Sequence, residues 1–151
     1  MKSKNNIDSY LNKCIGLQVS EAWLGDGKAL FIELGKLHKH IDKREHKSKG
    51  LGDITFMFDC RWRLEKLNSI IVGSLDDSNI IEKRIKLLIS KSVKNILFIG
   101  RIPEMVVEFN NNLWIQSFTS YKSEDWGIMF NNGGSIGRRK RNVVFENDKI
   151  K

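Results

Sequence analysis

The stretch Ile54-Thr55-Phe56-Met57-Phe58-Asp59-Cys60-Arg61-Trp62-Arg63-Leu64 limits what this chain can fold into more than any other. Apolar Ile54, Phe56, Phe58, Cys60, Trp62 and Leu64 take every second position, with Thr55, Met57, Asp59, Arg61 and Arg63 between them. Period two predicts a β-strand with one buried face, because successive Cβ atoms point to opposite sides of a sheet. A slip of one residue would bury Asp59 and both arginines while exposing Phe56, Phe58 and Trp62, so the register of this strand is tightly specified.

The rest of the chain supplies partners for that face. Ile7, Tyr10, Leu11 and Cys14 fall at i, i+3, i+4, i+7, predicting a helix over residues 7–15 closed by Gly16. Residues 17–23 and 29–34 flank Gly25-Asp26-Gly27-Lys28, a hairpin signal. Residues 69–74 follow the central strand as its antiparallel partner. Ile81, Ile85, Leu88 and Ile89 predict a helix over residues 79–91, with Asp76-Asp77-Ser78-Asn79 as capping residues and a Glu82 to Lys86 pair on its wet side. Strands are expected at 95–100, 104–109 and 113–118, with Asn110-Asn111-Asn112 as a turn that tolerates positive φ. Leu113 and Ile115 alternate against Trp114, Gln116 and Phe118, which leaves an aromatic either at the surface or under a helix. Trp126, Ile128 and Phe130 mark a further strand, Gly133-Gly134-Ser135-Ile136-Gly137 reads as a turn, and residues 142–146 as an edge strand before a frayed end at 147–151. The pattern predicts one α+β domain with antiparallel sheet of about seven to nine strands and two helices.

Three segments give a family resemblance. Phe58-Asp59-Cys60-Arg61-Trp62-Arg63-Leu64, Val72-Gly73-Ser74-Leu75-Asp76 and residues 118–126 resemble a family of small bacterial proteins of uncharacterised function, with a Cys-x-Trp-Arg strand, a Val-Gly-Ser-x-Asp strand end and a late Trp strand. Those proteins carry a Phe-Pro-Asp-like segment before the late strand, where this chain reads Phe118-Thr119-Ser120. The resemblance implies a fold, and by analogy an accessory or immunity-like role.

Charge narrows the class of partner. The 151 residues carry 26 Lys and Arg against 18 Asp and Glu, a net charge of +8, which favours acidic partners. Lys36, Lys39, Lys43, Arg44, Lys47 and Lys49 cluster in residues 36–52, read as a mobile basic loop, and Arg138-Arg139-Lys140-Arg141 form a second cluster. Arg61 and Arg63 project from the wet face of the central strand. These twelve cations are the candidate partner-binding or anion-binding residues. If the two clusters shared a surface, they would follow a phosphate backbone. No signal peptide or membrane span is apparent, so a cytoplasmic location away from membranes is expected.

The motifs of catalysis are missing. The sequence has no nucleophile elbow, phosphate loop, Cys-x-x-Cys or His-Glu-x-x-His pattern. His38, His40 and His46 have spacing that would suit a metal, but cationic neighbours oppose it, so neither a metal nor a cofactor is expected. Asp26, Asp76, Asp77, Glu124 and Asp125 are available carboxylates without a visible acid/base pairing. Cys14 and Cys60 read as inert thiols rather than a disulfide. The expectation is a non-catalytic protein-binding domain, immunity-like or regulatory, that meets an acidic partner; a non-specific nucleic-acid-binding accessory protein is the alternative. The charge of +8 argues against inhibition of a cationic nuclease.

Overall fold

The computed structural model describes residues 2–41, 48–121 and 125–147. The chain opens with helix α1 (Lys2–Cys14) and the hairpin β1 (Val19–Leu24) and β2 (Leu30–Leu34). Then come a ribbon of β3 (His38–Ile41) and β4 (Ser48–Leu51), followed by β5 (Ile54–Phe58), β6 (Arg61–Lys66) and β7 (Ser69–Gly73). Helix α2 (Ser78–Arg84) runs into a 3-10 turn (Ile85–Leu88), and β8 (Val93–Ile99), β9 (Glu104–Phe109) and β10 (Leu113–Phe118) follow. Last are β11 (Trp126–Phe130), β12 (Ser135–Arg139) and β13 (Asn142–Glu146).

The strands form an antiparallel six-stranded sheet in the order β1-β2-β5-β11-β12-β13 and an antiparallel five-stranded sheet in the order β7-β6-β10-β9-β8, beside the β3-β4 ribbon. The expected α+β class with two helices is what the chain adopts. Its strands outnumber the expected seven to nine for three physical reasons. The stretch 54–64 is two strands: β5 lies in one sheet, β6 in the other, and Asp59 and Cys60 form the corner, where the Asp59 N–H donates to the Asp125 carbonyl at 3.0 Å. Alternation survives the corner, so Ile54, Phe56 and Phe58 enter the core from one sheet and Trp62 and Leu64 from the other. Within 36–52, backbone pairing of His38 with Leu51 through Ile41 with Ser48 makes a ribbon where a loop was expected. The glycine-rich turn is shorter than expected, because Gly137 faces Gly127 across a ladder that takes Arg138 and Arg139 into β12.

One core joins the two sheets and α2. Ile32, Phe56, Phe58 and Ile128 meet Trp62, Leu64, Val107 and Ile115, while Ile81, Ile85 and Leu88 plug the side between them. The sheets are also stitched at a second place, because Val19 N–H donates to the Lys91 carbonyl and Val93 N–H to the Leu17 carbonyl, at 2.8 and 3.0 Å. Helix α1 covers β13, with Tyr10 stacked on Phe145 at 4.2 Å. The second helix ends sooner than residue 91. Lys86, in the 3-10 turn, bonds Glu21 of β1 at 2.5 Å, a cross-element pair in place of the expected bond along the helix to Glu82. No helix among the described residues is long and apolar enough to cross a membrane.

Candidate functional site

The outer face of the five-stranded sheet brings two of the selected cations, Arg61 and Arg63, beside the outward aromatics of β10. Because Leu113, Ile115 and Ser117 point into the core, Trp114, Gln116 and Phe118 of β10 point away from it, which settles the open choice for that strand. Register arranges their neighbours in rows across the sheet. Trp114 lies between Glu65 and Glu108, Gln116 between Arg63 and Val106, and Phe118 beside Arg61. Leu97 extends the middle row beyond Val106, and Gly73 ends it beyond Arg63. Leu97 and Ile99 are exposed at the far side, and Ile70 at the near side. Apolar and aromatic groups thus run down the middle of the face, with arginines on β6 and a carboxylate, Glu108, on β9.

The two arginines of this face differ. Arg63 bonds Glu65 through Nε and Nη2, both at 2.8 Å, and its guanidinium lies 4.9 Å from the centre of the Phe118 ring. Arg61 is exposed and has no carboxylate partner among the described residues. Both border a groove of about 330 Å³ with Ile70, Gly73, Leu75 and Phe118. Gly73 leaves a recess there, since no side chain stands opposite Arg63 in β7.

The other candidates are dispersed. The connection carrying the ribbon leaves the six-stranded sheet where Leu34 pairs with Ile54 and Ile54 with Phe130. Arg139 lies beyond the pairing of Gly127 with Gly137, at the opposite end of that sheet. Among the described residues, the start of the first basic cluster and Arg138 and Arg139 of the second thus lie at opposite ends of that sheet. Arg138 is held by Asp125, with Nη2 to Oδ2 at 3.0 Å, and Arg139 by Glu146 at 2.5 Å, which leaves Lys140 and Arg141 in the exposed turn. Lys36 is exposed; Lys39 and Lys49 pair through their backbones in the ribbon with Gly50 and His40. Lys43, Arg44, Lys47 and His46 lie outside the described residues, as does Glu124.

His38 Nε2 meets Asp53 Oδ1 at 2.6 Å, and no group of three His, Cys, Asp or Glu that would hold a metal occurs among the described residues. Both cysteines are free. Burial pushes the Cys14 thiol up to about 12; burial, with Glu104, Asp125 and Asp59 adding to it, pushes Cys60 to about 12. Neither is a thiolate at neutral pH, so neither is an activated nucleophile. Asp76 is occupied by the Gly73 N–H at 2.8 Å, and Asp125 by Arg138 and the Trp126 N–H. A buried carboxylate that the sequence does not reveal is Glu33, bonded to Trp23, Gly52 and Thr55.

The fold and face define an antiparallel two-sheet α+β domain with an uncovered, mixed apolar and charged sheet surface. No family model, no curated protein and no solved structure matches this chain.

Proposed function

We propose that this chain is a non-catalytic protein-binding domain that docks an acidic partner on the outer face of its five-stranded sheet. The observation that carries the reading is the row of Trp114, Gln116 and Phe118, half-buried on a sheet face that continues through exposed Leu97 and Ile99 and is bordered by Arg61 and Arg63. Aromatic and arginine side chains are the groups that supply most of the energy in protein interfaces. The accessory or immunity-like role that the motif resemblance implies by analogy agrees with a face of this kind. The nucleic-acid alternative is weaker, because among the described residues the start of the first basic cluster and the second cluster lie at opposite ends of a sheet, and Arg138 and Arg139 are already paired with carboxylates.

Site-specific photo-crosslinking in the native host tests the reading. A photoreactive residue at Gln116 is expected to trap a single acidic protein, and Trp114→Glu to abolish the adduct; the same residue at Met129, on the other sheet, is expected to give none. Equal labelling at both positions, or none at Gln116, overturns the proposal. Filter binding to DNA that falls steeply between about 50 and 200 mM salt and is insensitive to Trp114→Glu would favour the alternative.

A further inference from the structure

We infer that the groove between β6 and β7 takes an extended acidic segment of a partner protein, with a carboxylate on Arg61 and an apolar side chain in the recess at Gly73. This rests on the sheet face being the docking surface and names the chemistry of its occupant.

Arg61 to Arg63, Gly73 to Asp76, and Phe118 line this groove. Their contacts with one another make it rigid. The Ser74 hydroxyl accepts the Trp62 N–H at 3.1 Å and the Ser74 N–H donates to the Trp62 carbonyl at 3.0 Å. Asp76 accepts the Gly73 N–H and returns its own N–H to the Gly73 carbonyl, at 2.8 and 3.0 Å. From below, the Trp62 indole N–H donates to the Lys28 carbonyl at 3.1 Å, and Lys28 Nζ to the Asp76 carbonyl at 2.6 Å. A groove fixed in this way loses little conformational freedom when a ligand enters.

Its charge is unbalanced. Lys28 and Arg84 direct their cationic ends at neutral carbonyls, of Asp76 and Ile71, and Arg61 has no carboxylate partner among the described residues. Against these four cations, Arg63 included, stand two carboxylates, Glu65, which Arg63 neutralises, and Asp76, which lines the groove and keeps its charge while accepting the Gly73 N–H. The apolar rim is unusually bare, with Leu75 at 75% and Ile70 at 61% exposure. Surplus positive charge next to exposed aliphatic groups fits a segment with acidic residues beside a bulky apolar one.

The groove is entered from the face and not by strand addition. Val72 pairs with Leu64, so Ile71 and Gly73 turn their backbone groups to the free edge of β7. There Arg84 takes the Ile71 carbonyl at 2.8 Å and Asp76 takes both groups of Gly73. That edge is blunted. A second copy of this chain would bring another +8 to the same positive groove, which disfavours it as occupant.

Panning a phage-displayed random octapeptide library on the full chain tests the inference, with enriched peptides then titrated by fluorescence anisotropy. The expected peptides carry clustered Asp or Glu beside one bulky apolar residue. Arg61→Glu and Leu75→Ser, both at exposed positions, are each expected to weaken them about tenfold or more, while Arg61→Lys retains most of the affinity. Gly73→Val, which fills the recess, is expected to weaken them too; a Cβ at this position meets only the Trp62 carbonyl at 3.4 Å, an ordinary contact. Acidic peptides that are lost with Trp114→Glu but not with Arg61→Glu would sink this inference and leave the sheet-face reading standing, whereas peptides without acidic residues would sink both. Binding insensitive to both variants sinks both. A thymidine octanucleotide that binds the groove more tightly than any peptide also overturns it, assigning Arg61 to phosphate.

Discussion

Glu33 is a carboxylate without access to water, and three donors converge on it: the Trp23 indole N–H at 2.7 Å, the Gly52 N–H at 3.1 Å and the Thr55 hydroxyl. A buried acceptor of this kind holds its neighbours by what its absence would leave unpaired. Glu33→Leu is therefore expected to cost about 3 kcal/mol or more, since it strands three donors, whereas Glu33→Gln keeps one oxygen and should cost roughly half as much. Urea unfolding of both variants checks this, and equal stability of Glu33→Leu and the parent would remove Glu33 from the list of structural determinants. The sequence hides this residue. Alternation assigns Leu30, Ile32 and Leu34 to the core and turns Glu33 outward, where a carboxylate reads as solvated. It is buried because Gly52 crosses against β2, so close that a Cβ there would collide with the Leu34 backbone. Such a crossing is long-range and leaves no periodic trace.

Among the elements, the two neighbouring hairpin turns of the five-stranded sheet make a useful contrast. Asn111 and Asn112 take φ of 63° and 59° in the β9–β10 turn, as asparagine readily does, and that turn is legible from its residues. Leu67 takes φ of 52° in the β6–β7 turn, is well exposed, and has no local chemistry that favours the left-handed region. Leu67→Asn is expected to stabilise the protein by about 0.5–1 kcal/mol, measured as a higher melting temperature, because it relieves that conformation without removing a buried contact. A lower melting temperature would show that the exposed leucine packs to advantage. The same contrast explains the stretch 54–64. Alternation states correctly which side chains are buried, but its phase is unchanged across a corner, so one continuous pattern serves two strands in two sheets. In the candidate face, Arg61 and Arg63 were legible as the wet side of that pattern. The groove was not, because it depends on Gly73 and Phe118 arriving from other strands.

For the molecule as a whole, two carboxylates tie separate elements together and give the fold an acid-sensitive margin. Glu21 on β1 is partly desolvated, which would raise its pKa, but the Lys86 ammonium and the Ala22 N–H outweigh this and hold it below the usual carboxylate range. Asp53, which precedes β5, is lowered by its bond to His38 of the ribbon and by the Lys36 N–H. A carboxylate whose pKa is depressed in the folded state releases its proton more readily there than in the unfolded chain. Its contribution is therefore complete above the unfolded value of about 4 and disappears as pH falls through the lower folded value. Both pairs are substantially exposed, so the contribution is small and shrinks with added salt. Thermal melts of the parent and of a Glu21→Gln, Asp53→Asn double variant, recorded from about pH 6 to pH 2, are expected to differ at the upper end and to converge at the lower. A parent and variant that stay the same distance apart down to the lowest pH would show that these carboxylates stabilise by hydrogen bonding that protonation does not disturb, and that the acid limb comes instead from the self-repulsion of a chain already at +8.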